Sequence, residues 1–222
     1  MSQALVIGSN GTIGSVIARQ LDASHQVVTL SRDNTDYSAS DLKNHYQAFK
    51  ELGSFSIIIC CIGVLHDEVV NPEKSLKDIS ADRLIHYYKI NSVLPMLCMQ
   101  QFHKLLDRKS SSVFACLSAM VGSISDNKLG GWYGYRSSKS ALNMLVKNTA
   151  IEVKRSNKKA SIIAIHPGTT VGALSKPFAS NIDPNKYYTP EQSAQRIITV
   201  AKSVTPEQSG QFFNWDGQAL DY

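Results

Sequence analysis

The sequence predicts an α/β protein, a single doubly wound domain with a mostly parallel sheet and helices on both faces. Continuous apolar runs at 56–62, 112–118 and 161–166 have the composition of strands that are buried on both faces. Helical patterns alternate with these runs, and a glycine-rich turn separates the first apolar run, Ala4–Ile7, from the first helix. No linker or shift in composition divides the chain, so residues 1–222 are predicted to form one domain.

The remaining elements follow from caps and local spacing. Helices are predicted at 41–52, 81–108, 133–155 and after the cap Thr189, and strands at 26–30, around 35–37 and at 211–214. Pro95 is expected to kink or split the helix at 81–108, because proline lacks a backbone N–H. Residues 169–188 have no regular pattern and include Lys176-Pro177-Phe178, so we expect an irregular segment that covers a bound substrate.

The turn after the first strand reads Gly8-Ser9-Asn10-Gly11-Thr12-Ile13-Gly14, and apolar residues then recur at helical spacing. A buried strand, a glycine-rich turn and a helix place backbone N–H groups and the positive end of a helix dipole against a pyrophosphate. A plain glycine-containing turn is the alternative interpretation. The position between strand and helix favours dinucleotide binding.

The second strand ends in Ser31-Arg32, where dinucleotide folds meet the adenosine ribose. Arginine suits the 2′-phosphate of NADP, whereas an acidic residue suits the 2′-hydroxyl of NAD. Asp33 follows immediately and keeps the NAD alternative open. On the strength of Arg32 we favour NADP(H) over NAD(H).

Tyr135 and Lys139 are four residues apart, so they share one face of the helix at 133–155. A free phenol has a pKa of about 10 and is a poor proton donor near neutral pH. A neighbouring ammonium favours the phenolate, lowers that pKa and makes the tyrosine a usable general acid. The same spacing also occurs at Tyr46 and Lys50 on an ordinary amphipathic helix, so spacing alone does not identify a site.

Composition excludes several classes of function. The net charge of +5 is modest and the basic residues are scattered, which argues against nucleic-acid binding. The four cysteines lie in apolar runs without metal-ligand or disulfide spacing, so we expect reduced thiols and no metal site. No apolar run reaches the roughly 18 residues of a membrane span, and the first strand begins within a few residues of Met1. We therefore expect a cytoplasmic protein.

Together, these motifs resemble the short-chain dehydrogenase/reductases, and most of all the small carbonyl-reductase-like branch that contains the sniffer and C-factor proteins. The resemblance covers nearly the whole chain and implies a Rossmann-type fold. The residues that carry it, in order, are Gly8–Gly14, Lys89-Ile90-Asn91, Leu117-Ser118, Gly130 to Lys139 and His166-Pro167-Gly168.

The resemblance implies NADPH-dependent reduction of a ketone or aldehyde to an alcohol. Tyr135 corresponds to the proton donor, Lys139 to the residue that lowers its pKa and holds the nicotinamide ribose, and Asn91 to the anchor of a water in a proton relay. The implied cofactor-binding set is Gly8, Ser9, Asn10, Gly11, Thr12, Ile13, Gly14, Ser31, Arg32, Asp36, Ile62, Gly63, Asn91, Tyr135, Lys139, Pro167, Gly168, Thr169 and Thr170.

The sequence departs from the family pattern in the glycine spacing, where Thr12 occupies the position of the usual second glycine, and in three further places. Cys60-Cys61-Ile62-Gly63 replaces an Asn-Asn-Ala-Gly segment. Gly172 replaces a threonine that contacts the nicotinamide amide, and Thr169 and Thr170 are the candidates to take over this role.

The most consequential departure is Ala119, which stands where the family has a substrate-polarising serine. Either Ser118 or Ser123 reaches the pocket instead, or the reaction runs without that hydrogen bond. Loss of such a donor costs about 2–4 kcal/mol in the transition state. An NADP-binding regulatory or structural protein with weak or lost catalysis is therefore the alternative function.

Three further expectations concern other residues and assembly. His166 and the Cys60-Cys61 pair are interpreted as packed residues, and Trp132 and Tyr133 as the mouth of the pocket. Trp215 is interpreted as an aromatic anchor ahead of a turn. The resemblance implies a homodimer or homotetramer through the helices at 81–108 and 133–155. The apolar residues expected at that interface include Leu94, Met96, Leu97, Met144 and Val146.

Overall fold

The structure, a computed structural model, describes residues 2–177, 183 and 186–222. Its strands are β1 (Ser2–Ile7), β2 (His25–Leu30), β3 (Phe55–Cys60), β4 (Ser112–Leu117), β5 (Ala160–Ile165), β6 (Thr169–Thr170), β7 (Tyr187–Tyr188), β8 (Phe212–Phe213) and β9 (Ala219–Leu220). Its helices are α1 (Thr12–Asp22), α2 (Ala39–Lys50), α3 (Ala81–Tyr88), α4 (Leu94–Phe102), α5 (Tyr133–Ser156) and α6 (Pro190–Ser203). A π-helical turn, Lys89–Val93, joins α3 to α4.

In the described part of the chain, seven strands form one sheet in the order β2-β1-β3-β4-β5-β8-β9. All neighbouring pairs are parallel except β8–β9. β6 and β7 form a separate parallel pair. The sheet order places the chain reversal of a doubly wound fold between β1 and β3, which confirms the predicted fold class.

Helices cover both faces of the sheet because successive strand residues point to opposite sides. Leu5 of β1 packs in the core beneath α2, α4 and α5, and its neighbour Val6 packs in the core beneath α1 and α6. β4 and β5 are buried at every position, as their continuous apolar runs predict. The two cores hold the carboxyl ends of β1, β3, β4 and β5 at one edge.

The predicted strand around 35–37 is wrong. Side chains satisfy the backbone there: Tyr37 N–H donates to Thr35 Oγ1 at 3.0 Å, and Ser38 N–H donates to Asp36 Oδ1 at 2.7 Å. Tyr37 also has a φ of 58°, which a strand does not permit. Turn hydrogen bonds therefore replace a sheet ladder, and β2 is left at the edge of the sheet.

The predicted helix at 81–108 is split, as Pro95 suggested, but the break lies just before the proline. In the π-helical turn Leu94 N–H donates to the carbonyl of Lys89, five residues earlier. Pro95 lies in the first turn of α4 and has no N–H, so the Asn91 carbonyl has no helical donor four residues later. The long helix is thereby divided at Asn91.

The carboxyl-terminal third of the chain matches its sequence signals closely. Thr189 and Gln192 form the predicted capping box of α6, and the Trp215 ring packs at a tilt against Tyr188 with ring centroids 5.2 Å apart. The segment expected to be irregular, 169–188, begins with β6 and ends with β7; residues 178–182, 184 and 185, including Phe178, lie outside the described residues.

No helix among the described residues is long and apolar enough to cross a membrane. The four cysteines are free thiols; Cys60, Cys98 and Cys116 are buried, whereas Cys61 is only half-buried. The cytoplasmic location stays a prediction.

Candidate active site

Two adjoining cavities open at the carboxyl ends of the parallel strands. The glycine-side cavity, about 160 Å³, is lined by the 11–14 turn, Gly63, Lys139 and Gly172, among others. The Ala119-side cavity, about 370 Å³, is lined by Ala119, Met120, Val121, Trp132 and His166, among others. Tyr135, Ser118, Ile13, Pro167, Thr170 and Leu174 line both cavities. A group bound in one cavity would therefore meet a group bound in the other beside Tyr135.

The glycine turn forms a cradle that side chains would fill. Gly8 has a φ of 78°, and a Cβ on Gly14 would lie 2.3 Å from the Gly8 carbonyl oxygen. Only glycine at these positions lets α1 begin directly against the turn. Within the described chain, the N–H groups of Thr12, Ile13 and Gly14 have no backbone acceptor, and they form the positive end of α1. The geometry of this turn fits a pyrophosphate.

Not every N–H group of the turn is available to a ligand. Gly8 N–H and Ser9 N–H both donate to the Leu30 carbonyl, at 2.7 and 3.3 Å, and Gly11 N–H donates to the Gly8 carbonyl at 3.1 Å. Gly8 and Ser9 therefore attach the turn to β2. The anion-binding groups are the N–H groups at the start of α1.

At the end of β2 the predicted adenosine-side residues lie near the glycine turn. Arg32 is exposed and has no ion pair with any described residue. Asp33, the acidic residue that left NAD(H) as an alternative cofactor, accepts a short hydrogen bond from the Asn10 amide. Ser31 N–H donates to Asn34 Oδ1 at 2.8 Å, and Asp36 accepts from Ser38. The structure thus leaves the guanidinium of Arg32 free and engages the carboxylate of Asp33.

Lys139 is buried, with 4% of its surface exposed, between the sheet edge and two glycines. Its ammonium donates to the Leu117 carbonyl at 2.9 Å. A Cβ on Gly63 would lie 3.1 Å from Nζ, and one on Gly122 would lie 2.8 Å from the lysine Cβ. Burial lowers the pKa of Lys139 to about 8, although nearby thiols, first Cys60, oppose the shift.

Tyr135 lies on the same helix face, with its ring edge-on to Tyr87 and Trp132 at centroid distances of 6.3 and 6.2 Å. Its hydroxyl makes no hydrogen bond to any described residue. Burial raises the pKa of Tyr135 to about 12. The expectation that Lys139 lowers this pKa is wrong for the unliganded protein: desolvation governs the phenol, and the ammonium is directed to the Leu117 carbonyl.

Asn91 is fully buried in the π-helical turn, and both polar atoms of its side chain form hydrogen bonds. Oδ1 accepts from Val64 N–H at 2.8 Å, and Nδ2 donates to the Val64 carbonyl and to Ser138 Oγ, each at 3.0 Å. The amide therefore joins the segment after β3 to α5; both of its N–H groups are used, and Oδ1 has one lone pair left. The Asn91 backbone carbonyl, which lacks a donor at Pro95, is a second atom of this residue that could accept a hydrogen bond from a water.

Neither serine offered as a substitute for the missing hydroxyl at position 119 is free to act. Ser118 Oγ donates to Asn143 Oδ1 of α5 at 2.6 Å, and both side chains are buried. Ser123 bonds to Ser125 and to the N–H of Asp126, and it does not line either cavity. Ala119 itself lies in the lining, so its methyl group occupies the expected position of the hydroxyl.

The segment after β5 borders both cavities. Gly168 has a φ of 76° and packs against Tyr188 and Trp215, so glycine is required there. Thr170 Oγ1 is hydrogen bonded to Ser193 Oγ at 2.7 Å, which leaves Thr169 as the threonine of this pair with an uncommitted hydroxyl. Gly172 lies against Thr12 of the glycine turn, where a Cβ would come within 2.8 Å of the threonine methyl group. Ile62 and Gly63 line the glycine-side cavity as predicted.

Glu73 is a site residue that the sequence analysis missed. It is 1% exposed, its Oε2 accepts from Gly134 N–H at 3.1 Å, and its carbonyl accepts from Trp132 N–H at 2.6 Å. Trp132 precedes α5 in a left-handed conformation and gives the helix no side-chain cap, so a carboxylate from a distant loop caps it. In the sequence Glu73 stands in a polar stretch beside Lys74 and carries no signal of burial.

Among the described residues, no group of three His, Cys, Asp or Glu side chains converges as a metal site would require. The site consists of a glycine cradle, a buried lysine, a free phenol and a mainly apolar second cavity. A glycine cradle beside a buried lysine is the arrangement of a nucleotide-binding site.

Comparison with known proteins identifies the class. A family model described as short chain dehydrogenase matches residues 17–183, three quarters of the chain. The protein therefore belongs to the short-chain dehydrogenase/reductases, which are NAD(P)-dependent oxidoreductases, and the recognition made from the motifs is confirmed.

Individual relatives agree with this assignment. The chain is 28% identical over 233 residues to 1-hydroxy-2-glutathionyl-2-methyl-3-butene dehydrogenase of Rhodococcus sp. (strain AD45), with 100% of both chains covered. The fold is similar to that of carbonyl reductase Sniffer of D. melanogaster, with a TM-score of 0.83, 17% identity and 100% of both chains covered. It is also similar to an NADPH-bound carbonyl reductase from chicken fatty liver, with a TM-score of 0.81, 19% identity, and 100% and 99% of the two chains covered.

The buried cap on α5 predicts a stability effect. Glu73→Ala should lower the free energy of unfolding by about 1–3 kcal/mol, because the substitution leaves the N–H of Gly134 buried without its charged acceptor. Urea unfolding measures the change. Glu68→Ala, at an exposed glutamate in the same loop, is the matched control and should change stability by less than about 0.5 kcal/mol. Equal effects of the two substitutions would contradict the capping role.

Proposed function

We propose that the protein reduces a ketone or aldehyde to an alcohol with NADPH, and that Tyr135 donates the proton. The observation that carries the proposal is the Tyr135 hydroxyl, which has no partner among the described residues and belongs to a ring that lines both cavities. A nicotinamide in the glycine-side cavity and a carbonyl compound in the Ala119-side cavity would meet beside this hydroxyl. The carbonyl reductases among the structural neighbours support the same reaction class.

The residues present fit a dinucleotide. The N–H groups of Thr12, Ile13 and Gly14 would bind the pyrophosphate, and the Lys139 ammonium beside Gly63 would hold the nicotinamide ribose. Ile62 and residues 167–170 would contact the nicotinamide, and Ser31, Arg32 and Asp36 would contact the adenosine. When bound, the cofactor supplies the hydride that reduces the carbonyl carbon.

Proton transfer then depends on Tyr135, one of two site residues whose pKa values burial has moved. Burial keeps Tyr135 protonated well above neutral pH, so the phenol carries the proton that it donates to the product alcohol. Lys139 is assigned to the nicotinamide ribose, since its ammonium is directed to the Leu117 carbonyl and not to the phenol. The Asn91 carbonyl, freed by Pro95, would hold a water that returns a proton to the site.

The preference for NADPH rests on the contrast between Arg32 and Asp33. A guanidinium without an ion-pair partner is free to form a charge-assisted contact with a 2′-phosphate, and the Asp33 carboxylate is already bonded to Asn10. The neighbour solved with NADPH bound supports this preference.

Substitution of Arg32 tests the cofactor preference. Arg32→Ala should weaken NADPH binding by about 10-fold or more and leave NADH binding nearly unchanged, because only NADPH carries the 2′-phosphate. Fluorescence titration with each nucleotide gives both dissociation constants. Arg108→Ala, an exposed arginine away from both cavities, should change neither. A wild type that binds NADH as tightly as NADPH would refute the preference.

Removal of the phenol tests the function itself. Tyr135→Phe should lower carbonyl reduction by at least about 100-fold while NADPH binding survives, because only the hydroxyl is lost. NADPH oxidation against a panel of ketones and aldehydes is the measurement. Tyr46→Phe has the same lysine spacing on α2, and its turnover should match the wild type. Full activity in Tyr135→Phe with any reduced substrate would end the proposal.

The pH profile tests the role of Lys139. Its charge is present below a pKa of about 8 and is lost above it, whereas Tyr135 stays protonated to about 12. The kcat/KM for reduction should therefore be level below about pH 8 and fall above it. Lys139→Arg keeps the positive charge at high pH, so the kcat/KM that this variant retains should not decline above pH 8. A wild-type profile that is level to pH 10 would contradict the assignment.

Assembly into a homodimer or homotetramer is also proposed, with a correction to the residues involved. Val146 is fully buried in the protein's own core, and Leu94, Met96 and Leu97 are partly buried against it. Met144 is exposed as expected, and the other exposed apolar residues of these helices are Ile85, Tyr88, Val93 and Ile151; all five are 39–64% exposed. A second copy of the chain would cover them.

Light scattering tests the assembly. The protein should exceed its monomer mass of 24.4 kDa at micromolar concentration, and Met144→Asp combined with Ile151→Asp should shift it toward the monomer, since both residues lie on exposed positions of α5. Leu129→Asp, at an apolar residue that is 92% exposed but outside these helices, is the control. A wild type of monomer mass would contradict the proposal.

The alternative is an NADP-binding regulatory or structural protein, and one observation favours it. Ala119 removes the usual polarising hydroxyl, and Ser118 has donated its own to Asn143. This alternative predicts tight NADPH binding with no reduction of any carbonyl probe. The same titration and substrate panel separate the two functions.

A further inference from the structure

His166 is a polar side chain in the Ala119-side cavity to which the proposed mechanism assigns no role. It follows β5, and its backbone N–H donates to the Phe213 carbonyl at 2.7 Å, which holds the residue at the cavity wall. The ring lines the cavity, and Nδ1 is enclosed without a hydrogen-bond partner among the described residues. A buried polar atom without a hydrogen-bond partner is destabilising, so this position of the ring costs the folded state free energy.

Most other polar side chains in this lining are already satisfied. Ser118 donates to Asn143, Thr170 bonds to Ser193, and Ser175 Oγ donates to the Thr170 carbonyl at 2.5 Å. Tyr135 is assigned to proton transfer. Among the described lining residues, His166 and Thr169 are the other groups whose side-chain hydrogen bonds remain uncommitted.

We propose that the His166 imidazole donates a hydrogen bond to the carbonyl oxygen of the substrate, in place of the hydroxyl that Ala119 lacks, and that the cavity accepts uncharged carbonyl compounds. This inference rests on the proposed carbonyl reduction. With Nδ1 enclosed, we assign the donor to Nε2, the other ring nitrogen. His166 then shares the developing negative charge on the oxygen with Tyr135.

The electrostatics of the cavity agree with this role. Burial lowers the pKa of His166 to about 4, so the imidazole is neutral near pH 7 and offers one N–H without bringing a charge into the cavity. Tyr135 is protonated at the same pH, and the described lining contains no Asp, Glu, Lys or Arg apart from the Lys139 that borders the glycine-side cavity. A charged substrate group would therefore be desolvated without a partner.

A matched pair of probes tests the substrate class. 4-Nitrobenzaldehyde and 4-carboxybenzaldehyde have nearly the same shape, but only the second is charged at pH 7. We expect kcat/KM with NADPH to be at least about 10-fold higher for the nitro compound after division by the ratio of the two aldehydes' rates of reduction by borohydride, which corrects for the greater electrophilicity that the nitro group confers. Equal values, or a preference for the carboxylate, would refute the inference about substrate class.

Variants of His166 test the donor with 4-nitrobenzaldehyde as the probe. His166→Phe should lower kcat by about 10- to 100-fold with NADPH affinity unchanged, because the hydrogen bond strengthens as charge develops on the oxygen. His166→Asn keeps an N–H donor and should retain more activity than His166→Phe. Ala119→Ser added to His166→Phe should restore part of the lost rate, since it returns a hydroxyl to the family's position.

The controls separate a donor from a packing residue. His25→Phe alters a buried histidine at the far edge of the sheet and should leave turnover unchanged. A kcat of His166→Phe equal to that of the wild type would refute the inference. A Thr169→Val variant that loses as much kcat as His166→Phe is expected to lose, with His166→Phe unaffected, would refute it as well. Turnover that is lost in Tyr135→Phe but kept in His166→Phe would refute only the role of His166. A wild type that binds NADPH but reduces no probe would refute the proposed function and this inference together.

Discussion

The close packing of α5 against the carboxyl edge of the sheet is the constraint on which the site depends. Lys139 is buried with its ammonium on the Leu117 carbonyl, and glycines at 63 and 122 provide the space for it. A side chain at Gly122 would push α5 away from the segment after β4, and a side chain at Gly63 would displace the Lys139 ammonium. Burial of an amine is unfavourable, and the lowered pKa of Lys139 is the sign of that penalty.

Polar groups from distant parts of the chain fix the same helix at its beginning. Glu73 caps the N–H of Gly134, and Asn91 reaches Ser138 from the π-helical turn. Gly134 packs so closely on Tyr87 that a Cβ would lie 2.3 Å from its ring. Tyr135 lies between these attachments, so the direction of its phenol is determined by packing against the Tyr87 and Trp132 rings rather than by hydrogen bonds of its own.

Loss of one hydroxyl has consequences for the neighbouring residues. With alanine at position 119, the wall of the second cavity is more apolar, and the nearest serine turns to Asn143 of α5. The neutral imidazole of His166, at the end of the adjacent strand, and the hydroxyl of Thr169 are then the uncommitted polar groups at the wall besides Tyr135. Such a site favours uncharged substrates, because a charged group would lose its hydration there and would find no charged partner in the lining.

The sequence by itself determined the layered fold, the glycine turn, the α5 pair Tyr135–Lys139 and the break near Pro95, because each depends on local spacing or on the backbone chemistry of glycine and proline. It failed at 35–37, where side chains of Thr35 and Asp36 satisfy the backbone in place of a partner strand. Only the tertiary structure decided that Ser118 faces Asn143, that Glu73 is a buried cap and that desolvation outweighs Lys139 at the Tyr135 phenol. These outcomes depend on which residues, far apart in the sequence, are brought into contact by packing. A single sequence does not contain the distances between such residues.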